Sequence, residues 1–230
     1  MDAGSVFIIM RKFKAVVFDC DGVMFDSRQA NINFYNHILE HFNLPPMEEE
    51  EERYVHMHTA NESVRYIFRG TPYTHVAQQY RVENDYSPFI KDMIIEPGLK
   101  ELLKMLKPKY GLGIATNRSN TIGEVLKSNS LEDFFDIVVS SLDVQQPKPH
   151  PESLSKILSF FRIDPEQALY VGDSIVDCEM AKAAGVPFVA YKNCDLDADY
   201  HVNHHKEIAH IVGMINFGMK NRNDRTGPYP

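Results

Sequence analysis

The stretch Ala15-Val16-Val17-Phe18-Asp19-Cys20-Asp21-Gly22 decides the fold. It joins four consecutive apolar residues to a turn that carries two aspartates. A short, continuous apolar run that ends in turn residues is typical of a strand buried on both faces, as in a parallel sheet. Ligands of such sheets bind in the crevice at the carboxyl ends of the strands, so Asp19 and Asp21 are candidate site residues.

Four further apolar runs have strand length, and helical patterns separate most of them. The runs are Leu112–Ala115, Ile137–Val139, Ala168–Val171 and Phe188–Tyr191. The helical patterns are Gly98–Leu106, Pro151–Phe161 and Ile175–Ala184, the last of which is followed by Gly185. This alternation predicts an α/β fold, namely a three-layer, Rossmann-like core with a parallel sheet between helices.

The segment 27–95 interrupts the alternation. It contains no strand-like run, but apolar residues have helical spacing in Ile32–Phe42, and helices are predicted around Glu51–Phe68 and Thr74–Met93. A connection between parallel strands needs only about a dozen residues, so this segment predicts an inserted α-helical cap domain. We expect a catalytic core (11–26 and 96–216), the cap (27–95) and terminal extensions (1–10 and 217–230).

Composition excludes several classes of function. The 230 residues carry 24 Lys and Arg against 32 Asp and Glu, a net charge of −8, which argues against a nucleic-acid partner. No apolar run approaches the roughly 18 residues that a membrane helix needs, so no membrane partner is expected. The three cysteines, Cys20, Cys178 and Cys194, form no CxxC pair and predict reduced thiols in a cytoplasmic protein. A monomer and a homodimer are both compatible with the sequence.

Polar residues follow three of the predicted strands. Thr116-Asn117-Arg118 follows the second run, and Gly172-Asp173-Ser174 follows the fourth, with Asp177 shortly after. Because parallel strands end at one edge of the sheet, we expect Asp19, Asp21, Thr116 and Asp173 to lie close together. Lys148 lies in a loop that flanking prolines stiffen, and the loop can direct this lysine toward the same crevice.

Aspartates gathered in one crevice repel one another unless cations compensate their charge. Mg²⁺ suits such a site, because it prefers carboxylate and carbonyl oxygens, waters and a substrate phosphate. Lys148 adds a positive charge. Beside both cations, Asp19 stays ionised and can act as a nucleophile, while Asp21 can act as a general acid and base. The Thr116 hydroxyl can hold phosphoryl oxygens.

These residues occur in an order that resembles the haloacid dehalogenase superfamily. Phe18-Asp19-Cys20-Asp21-Gly22-Val23 resembles the first motif of that superfamily, Thr116-Asn117-Arg118 the second, Lys148-Pro149 the third, and Gly172-Asp173-Ser174 with Asp177 the fourth. The insertion between the first two motifs resembles the helical cap of the branch that contains phosphoglycolate phosphatases and β-phosphoglucomutases. The resemblance spans roughly residues 16–212.

The resemblance implies a mechanism for this chain. Asp19 would attack phosphorus and form an aspartyl-phosphate, and Asp21 would protonate the leaving alcohol and then activate water. Mg²⁺ would bind the Asp19 carboxylate, the Asp21 main-chain carbonyl and Asp173, with Asp177 in support. Thr116 and Lys148 would stabilise the transferring group, with Gly22 and Asn117 also at the phosphate. The substrate would be a small phosphorylated metabolite.

Several other functions stay open at this point. A phosphomutase of the β-phosphoglucomutase type would use the same residues and return the phosphoryl group to a sugar phosphate. A haloacid dehalogenase is disfavoured because such an enzyme does not need the second aspartate, Asp21. A phospho-acceptor receiver domain also uses Asp, Thr or Ser, Lys and Mg²⁺, but it needs no cap and about half this length. A non-catalytic binding protein is disfavoured because every motif residue is present.

Four further sequence features concern the cap, a zinc site and the core. Arg65 and Arg69 are four residues apart and share a helix face, so either is a candidate to bind an anionic part of the substrate. His201, His204 and His205 do not have the ligand pattern of a zinc site. Cys20 is expected to point away from the two aspartates and to pack in the core. The acidic run Glu48–Glu52 is expected to form a solvated first helical turn.

Overall fold

The computed structural model describes residues 13–84 and 86–213. The two predicted terminal extensions lie outside these ranges, as do residues 11–12 and 214–216 of the predicted core. Within the described ranges, the longest helix is Arg28–His41, and none combines the length and apolar character needed to cross a membrane.

Six parallel strands form the central sheet, and a separate antiparallel pair lies beside it. The eight strands are β1 (Ala15–Phe18), β2 (Phe25–Asp26), β3 (Ile94–Ile95), β4 (Gly111–Ala115), β5 (Ile137–Val139), β6 (Ala168–Gly172), β7 (Phe188–Tyr191) and β8 (Tyr200–Val202). The order across the sheet is β5-β4-β1-β6-β7-β8, and β2 pairs with β3. The five strand predictions and the fold class are confirmed, whereas the pair β2–β3 was not predicted.

Ten helices complete the described part of the chain. They are α1 (Arg28–His41), α2 (Glu49–Met57), α3 (Ala60–Ile67), α4 (Thr74–Glu83), α5 (Ser87–Ile90), α6 (Leu99–Leu106), α7 (Ile122–Ser128), α8 (Glu152–Phe161), α9 (Ile175–Ala184) and α10 (His205–Ile211). The helices α1 to α5 lie between β2 and β3, and we call this helical segment the cap. Short 3₁₀ turns at Glu132–Phe134 and Pro165–Gln167 precede β5 and β6.

Strand β1 lies in the middle of the sheet, where both faces are covered. Successive side chains of a strand point to opposite faces. Accordingly, Val16 and Phe18 belong to the apolar cluster that also includes α6, α10 and much of the cap, whereas Val17 belongs to the cluster of α8 and α9. All three side chains are fully buried. This central position fixes the residues that follow Phe18.

The cap helices are shorter than the sequence pattern suggested. The pattern around Glu51–Phe68 forms two helices, because Thr59 starts a new one: its hydroxyl accepts a hydrogen bond from Glu62 N, and the Glu62 carboxylate accepts one from Thr59 N. The pattern Thr74–Met93 is likewise divided after Glu83. The acidic run does form a helix start, with Glu48 at the N-cap of α2.

Candidate active site

The carboxyl ends of the central strands open into a cavity of about 240 Å³ that the cap covers. The first residues after β1 and β4 still hydrogen-bond to the neighbouring strands, because Asp19 N donates to Val171 O at 2.9 Å and Thr116 N donates to Val139 O at 3.0 Å. The structure brings the following predicted site residues together in the cavity wall: Asp19, Asp21, Thr116, Asn117, Lys148 and Asp173.

Lys148 joins two of the carboxylates. Its Nζ atom lies 2.7 Å from Asp19 Oδ1 and 2.7 Å from Asp177 Oδ1, and its side chain is 2% exposed. Burial would lower the pKa of Lys148, but the two aspartates raise it above its ordinary value. Lys148 is therefore a fixed positive charge beside the Asp19 carboxylate.

The two carboxylate oxygens of Asp19 differ in their hydrogen bonding among the described residues. Oδ1 accepts hydrogen bonds from Lys148 and from Cys20 N at 2.7 Å, whereas Oδ2 accepts none from the described residues. Burial raises the pKa of Asp19 to about 7, an effect that Lys148 opposes and the charges of Asp177 and Asp21 reinforce. A further cation near Asp19 would therefore favour its ionised form at neutral pH.

Asp173 is the carboxylate with the fewest partners in this group. Its side chain accepts no hydrogen bond within the described ranges, and the imidazole of His56 lies beside it, with Nε2 4.0 Å from Oδ2. Burial, followed by the charges of Asp177 and Asp19, raises the pKa of Asp173 well above its usual range. A partly buried carboxylate that accepts no hydrogen bond from the described residues favours a bound cation.

Oxygen atoms of Asp19, Asp173 and Asp177 lie within 4.8 Å of one another. This all-oxygen set fits a hard divalent ion such as Mg²⁺. The four hydrogen-bond donors on the Asp177 carboxylate already use its acceptor sites: Lys148 Nζ, Tyr170 OH, Ser174 N and Ser174 Oγ. Asp19 and Asp173 are thus the direct candidates, and Asp177 orients Lys148, which fits a supporting role.

Gly22 makes room for Asp173. Its φ angle is +77°, and a Cβ atom at this position would overlap the Asp173 carboxylate. The Gly22 N–H donates to Phe25 O at 2.8 Å, and Gly22 does not line the cavity. The sequence predicts Gly22 at the phosphate; in the structure its amide is used in the turn after β1, and its lack of a side chain leaves space for Asp173.

Asp21 is held by an arginine that the sequence interpretation did not select. Arg118 Nη2 lies 2.5 Å from Oδ1 and Arg118 Nε lies 3.1 Å from Oδ2, while the Ser27 hydroxyl also donates to Oδ1. Burial alone would raise the pKa of Asp21, but Arg118 lowers it to about 2. In this arrangement Asp21 is a carboxylate.

Cap residues hold the other side of Arg118. The guanidinium lies over the ring of Tyr86, 4.9 Å from its centroid, and Tyr86 OH donates to Asn31 Oδ1 at 2.8 Å. Arg118 side-chain exposure is only 5%. The Asp21 carboxylate is therefore connected to the cap through one buried polar network.

Thr116 and Asn117 have separate roles. Thr116 is 2% exposed and its hydroxyl oxygen accepts from Arg118 N at 3.1 Å, which leaves the hydroxyl hydrogen available toward the cavity. The Asn117 amide binds the main chain of the loop that carries the lysine, because Lys148 N donates to Asn117 Oδ1 at 3.1 Å. Asn117 thus positions Lys148 in addition to lining the cavity.

Neither cap arginine suggested by the sequence lines the cavity. Arg65 is exposed, and Arg69 is bound to Glu51 at 2.6 Å and stacks over Tyr66. Helical periodicity showed that the two share a face, but the face points away from the site. The cap instead contributes His56, His58, Arg81, Tyr86 and Asn31 to the wall.

Cys20 and the C-terminal histidines do not line the cavity. Cys20 is fully buried in the core, and burial raises the pKa of its thiol well above the ordinary value. Of the three C-terminal histidines, His205 is buried, and none belongs to the single metal-type cluster found within residues 13–84 and 86–213.

Three residues were missed although each stands close to a recognised motif. Arg118 is the third residue of Thr116-Asn117-Arg118, Ser27 follows the turn of the first motif, and Tyr170 lies two residues before Gly172. Tyr170 is fully buried and its hydroxyl lies 2.6 Å from Asp177 Oδ1. A tyrosine in an otherwise apolar strand was a usable signal, because a buried tyrosine hydroxyl needs a partner.

Comparison with known proteins finds a matching family model and relatives that are similar in sequence over most of the chain. A family model described as "Haloacid dehalogenase-like hydrolase" matches residues 16–191. Pyrophosphatase PpaX of Bacillus mycoides is 29% identical over 183 residues, which cover 78% of this chain and 83% of the relative. Pyrophosphatase PpaX of Bacillus pumilus is 32% identical over 175 residues, which cover 74% of this chain and 79% of the relative.

Solved structures have the same fold. A HAD-superfamily hydrolase of subfamily IA, variant 1, from Geobacter sulfurreducens is 44% identical, with a TM-score of 0.74 and coverage of 88% of this chain and 97% of that one. A putative phosphoglycolate phosphatase from Lactobacillus plantarum has a TM-score of 0.77 at 21% identity and covers 87% and 99%. The match of the family model over most of the chain, together with these relatives, shows that the protein belongs to the haloacid dehalogenase-like hydrolase family and is an enzyme.

Proposed function

We propose that the protein is a Mg²⁺-dependent cytoplasmic phosphatase that hydrolyses a small phosphomonoester through an aspartyl-phosphate. The observation that carries the proposal is the state of Asp19: Lys148 and Cys20 N hold Oδ1, while Oδ2 is left without a described partner at the wall of the cavity. The names of the relatives, pyrophosphatase and phosphoglycolate phosphatase, support phosphoryl chemistry. Three free cysteines fit a reducing compartment.

In the first step, Asp19 Oδ2 attacks phosphorus and the bond between phosphorus and the leaving oxygen breaks. Asp21 donates a proton to the leaving oxygen, so an alcohol departs. Lys148 and the Thr116 hydroxyl stabilise the charge on the transferring oxygens. Because Arg118 keeps Asp21 ionised, Asp21 must separate from the guanidinium and take up a proton before it can act as the acid.

In the second step, Asp21 takes a proton from water, and the resulting hydroxide attacks phosphorus. The bond between phosphorus and Asp19 Oδ2 breaks, which releases inorganic phosphate and restores the Asp19 carboxylate. The cavity, under the cap, limits the water that reaches the site before the alcohol leaves.

The residues present fit a magnesium ion. Asp173 is a partly buried carboxylate without a hydrogen-bond donor among the described residues, and Gly22 leaves the space beside it. Asp19 and Asp173 would hold the ion, and Asp177 would support the site through Lys148. When bound, Mg²⁺ supplies positive charge that neutralises the carboxylates and polarises the phosphoryl oxygens.

Hydrolysis of p-nitrophenyl phosphate with and without Mg²⁺ tests the proposal. We expect Mg²⁺-dependent turnover that Asp19→Asn reduces by about 1,000-fold or more. Asp133→Asn, which removes an exposed carboxylate that does not line the cavity, is the matched control and should leave the rate unchanged. Activity that survives in Asp19→Asn, or a phosphorylated protein that persists without turnover, would contradict the proposed mechanism.

A further inference from the structure

We propose that Arg81 binds a second anionic group of the substrate, so that the site prefers a phosphate ester that also carries a carboxylate or another phosphate. The inference rests on the proposed phosphatase function and names the substrate class. It starts from a cavity that contains two arginines in very different situations, since Arg118 is paired with Asp21 and Arg81 has no acidic partner within residues 13–84 and 86–213.

Arg81 is fixed in place by neutral side chains. It lies near the end of α4, where Nε donates to Gln78 Oε1 at 3.3 Å and Nη2 donates to Asn61 Oδ1 at 2.9 Å. These two contacts fix the plane of the guanidinium. The Nη1 atom, with its two N–H groups, has no hydrogen-bond partner within residues 13–84 and 86–213. The arginine thus retains donors for a ligand.

The positive charge of Arg81 is also left without compensation. No carboxylate of the described residues forms an ion pair with it, and burial lowers its pKa from the ordinary value. The two glutamates of the cavity wall do not change this. Glu83 is exposed, and Glu124 accepts a hydrogen bond from Ser87. A half-buried, unpaired guanidinium is costly unless an anion binds to it.

Arg81 is close enough to the reacting groups for one small molecule to reach both. Asp19, Tyr35 and Arg81 all line the same cavity of about 240 Å³, which suits a small metabolite. A substrate whose phosphoryl group lies at Asp19 can therefore extend toward the cap and end at Arg81.

The chemistry of a guanidinium defines the second group. Its planar set of N–H donors matches the oxygens of a carboxylate or a phosphate, and a charge-assisted bond of this kind is stronger than a neutral one. Loss of such a bond corresponds to a decrease of about 10- to 100-fold in kcat/KM. The shared chemistry is an oxyanion, and two pairs of substrates distinguish its two sources.

The experiment compares each charged substrate with an uncharged counterpart. The first pair is 2-phosphoglycolate and ethyl phosphate, which differ by a carboxylate, and the second is ethane-1,2-diyl bisphosphate and ethyl phosphate, which differ by a phosphate. For wild type, we expect kcat/KM of at least one charged member to exceed that of its counterpart by about 10-fold or more. Arg81→Ala should abolish this preference through KM, and Arg81→Lys should restore part of it.

Controls keep the outcome interpretable. Arg65→Ala removes an exposed cap arginine that does not line the cavity, and it should keep the wild-type preference. Thermal unfolding establishes that Arg81→Ala is folded, and this variant should lower kcat/KM far more for each of the charged esters than for ethyl phosphate. If wild type hydrolyses neither these esters nor p-nitrophenyl phosphate, the proposed function fails. If wild type turns over the esters without a preference, or Arg81→Ala lowers both members of a pair equally, the role of Arg81 is overturned.

Discussion

Arg118 forms a bidentate ion pair with Asp21, in which Nη2 lies 2.5 Å from Oδ1 and Nε lies 3.1 Å from Oδ2. Both side chains are largely withdrawn from water, with 5% and 14% of their surface exposed. A buried pair of this geometry is strongly destabilised when one partner is removed, because the other charge stays buried and unpaired.

Replacement of Arg118 by methionine should therefore destabilise the fold in a pH-dependent way. The pKa of Asp21 is lowered from 3.8 to about 2, so the stabilisation it contributes is present above about pH 4 and is lost as pH falls toward 2. We expect Arg118→Met to lower the free energy of unfolding by about 3–5 kcal/mol at pH 7, and by less at pH 3. Urea unfolding at several pH values measures it. A loss that is the same at pH 7 and pH 3 would contradict the pairing, and Arg65→Met serves as the exposed control.

Mg²⁺ should stabilise the protein more at pH 8 than at pH 5. Burial raises the pKa of Asp19 to about 7 and that of Asp173 well above its usual range, so their contribution to stability is full below about pH 4 and is lost as pH rises to 7 and beyond. The metal-free protein is thus weakened at pH 8, where the buried Asp19 carboxylate ionises. A saturating ion adds about 3 kcal/mol at 100 times its Kd, or roughly 5–10 °C in Tm.

Thermal unfolding with EDTA and with Mg²⁺ measures this difference. Asp173→Asn removes the unpaired carboxylate, so it should raise Tm in EDTA at pH 8 and nearly abolish the response to Mg²⁺. A response to Mg²⁺ that is larger at pH 5 than at pH 8, or that Asp173→Asn leaves intact, would argue against this metal site.

Gly22→Ala should weaken the metal site, and the chain offers a closely matched control. Gly22 and Gly70 both have φ of +77°, so alanine at either position costs about 1–2 kcal/mol of backbone strain. A Cβ atom at Gly22 overlaps the Asp173 carboxylate, whereas one at Gly70 meets nothing within 4 Å. The Mg²⁺ concentration for half-maximal activity should rise about 10-fold or more in Gly22→Ala only. Equal values in the two variants would exclude a steric role for Gly22.

Tyr170→Phe should reduce both stability and turnover. The Tyr170 hydroxyl lies 2.6 Å from Asp177 Oδ1, on the carboxylate that also holds Lys148. We expect a loss of about 1–3 kcal/mol of unfolding free energy and a several-fold decrease in kcat, because Lys148 loses part of its orientation. Tyr191→Phe removes a comparable buried hydroxyl, bound to Glu96 outside the cavity, and should lower stability without lowering kcat. If both variants lower kcat alike, Tyr170 acts only through stability.

The sequence was sufficient for the sheet and for the residues at its edge. Asp19, Thr116 and Asp173 each follow a strand of a parallel sheet, and that topology alone requires them to meet. The interruption of the cap helices was encoded as well, since Thr59 and Glu62 form a capping pattern of the type Thr-x-x-Glu. That short signal was outweighed by the continuous helical spacing around it.

The side chains that the sequence could not place are those whose partners come from distant segments. Arg118 reaches Asp21, 97 residues earlier in the chain, and no local pattern specifies that direction. The orientation of the cap arginines also depends on contacts between distant segments. Spacing showed that Arg65 and Arg69 share a helix face, but only the packing of α2, α3 and α4 determines that Arg81 faces the cavity instead.

The antiparallel pair β2–β3 has a consequence for how such enzymes diversify. Phe25 lies opposite Ile95 and Asp26 opposite Ile94, so the chain leaves the core and returns to it at neighbouring, hydrogen-bonded positions. The five cap helices thus form one insertion between β2 and β3, and the hydrogen-bonded pair holds the two ends of that insertion together. A cap of a different length or sequence can be exchanged at this junction while the strand ends stay in place. Because Tyr86 and Asn31 of the cap hold the arginine that binds Asp21, a replacement cap would also have to restore that contact.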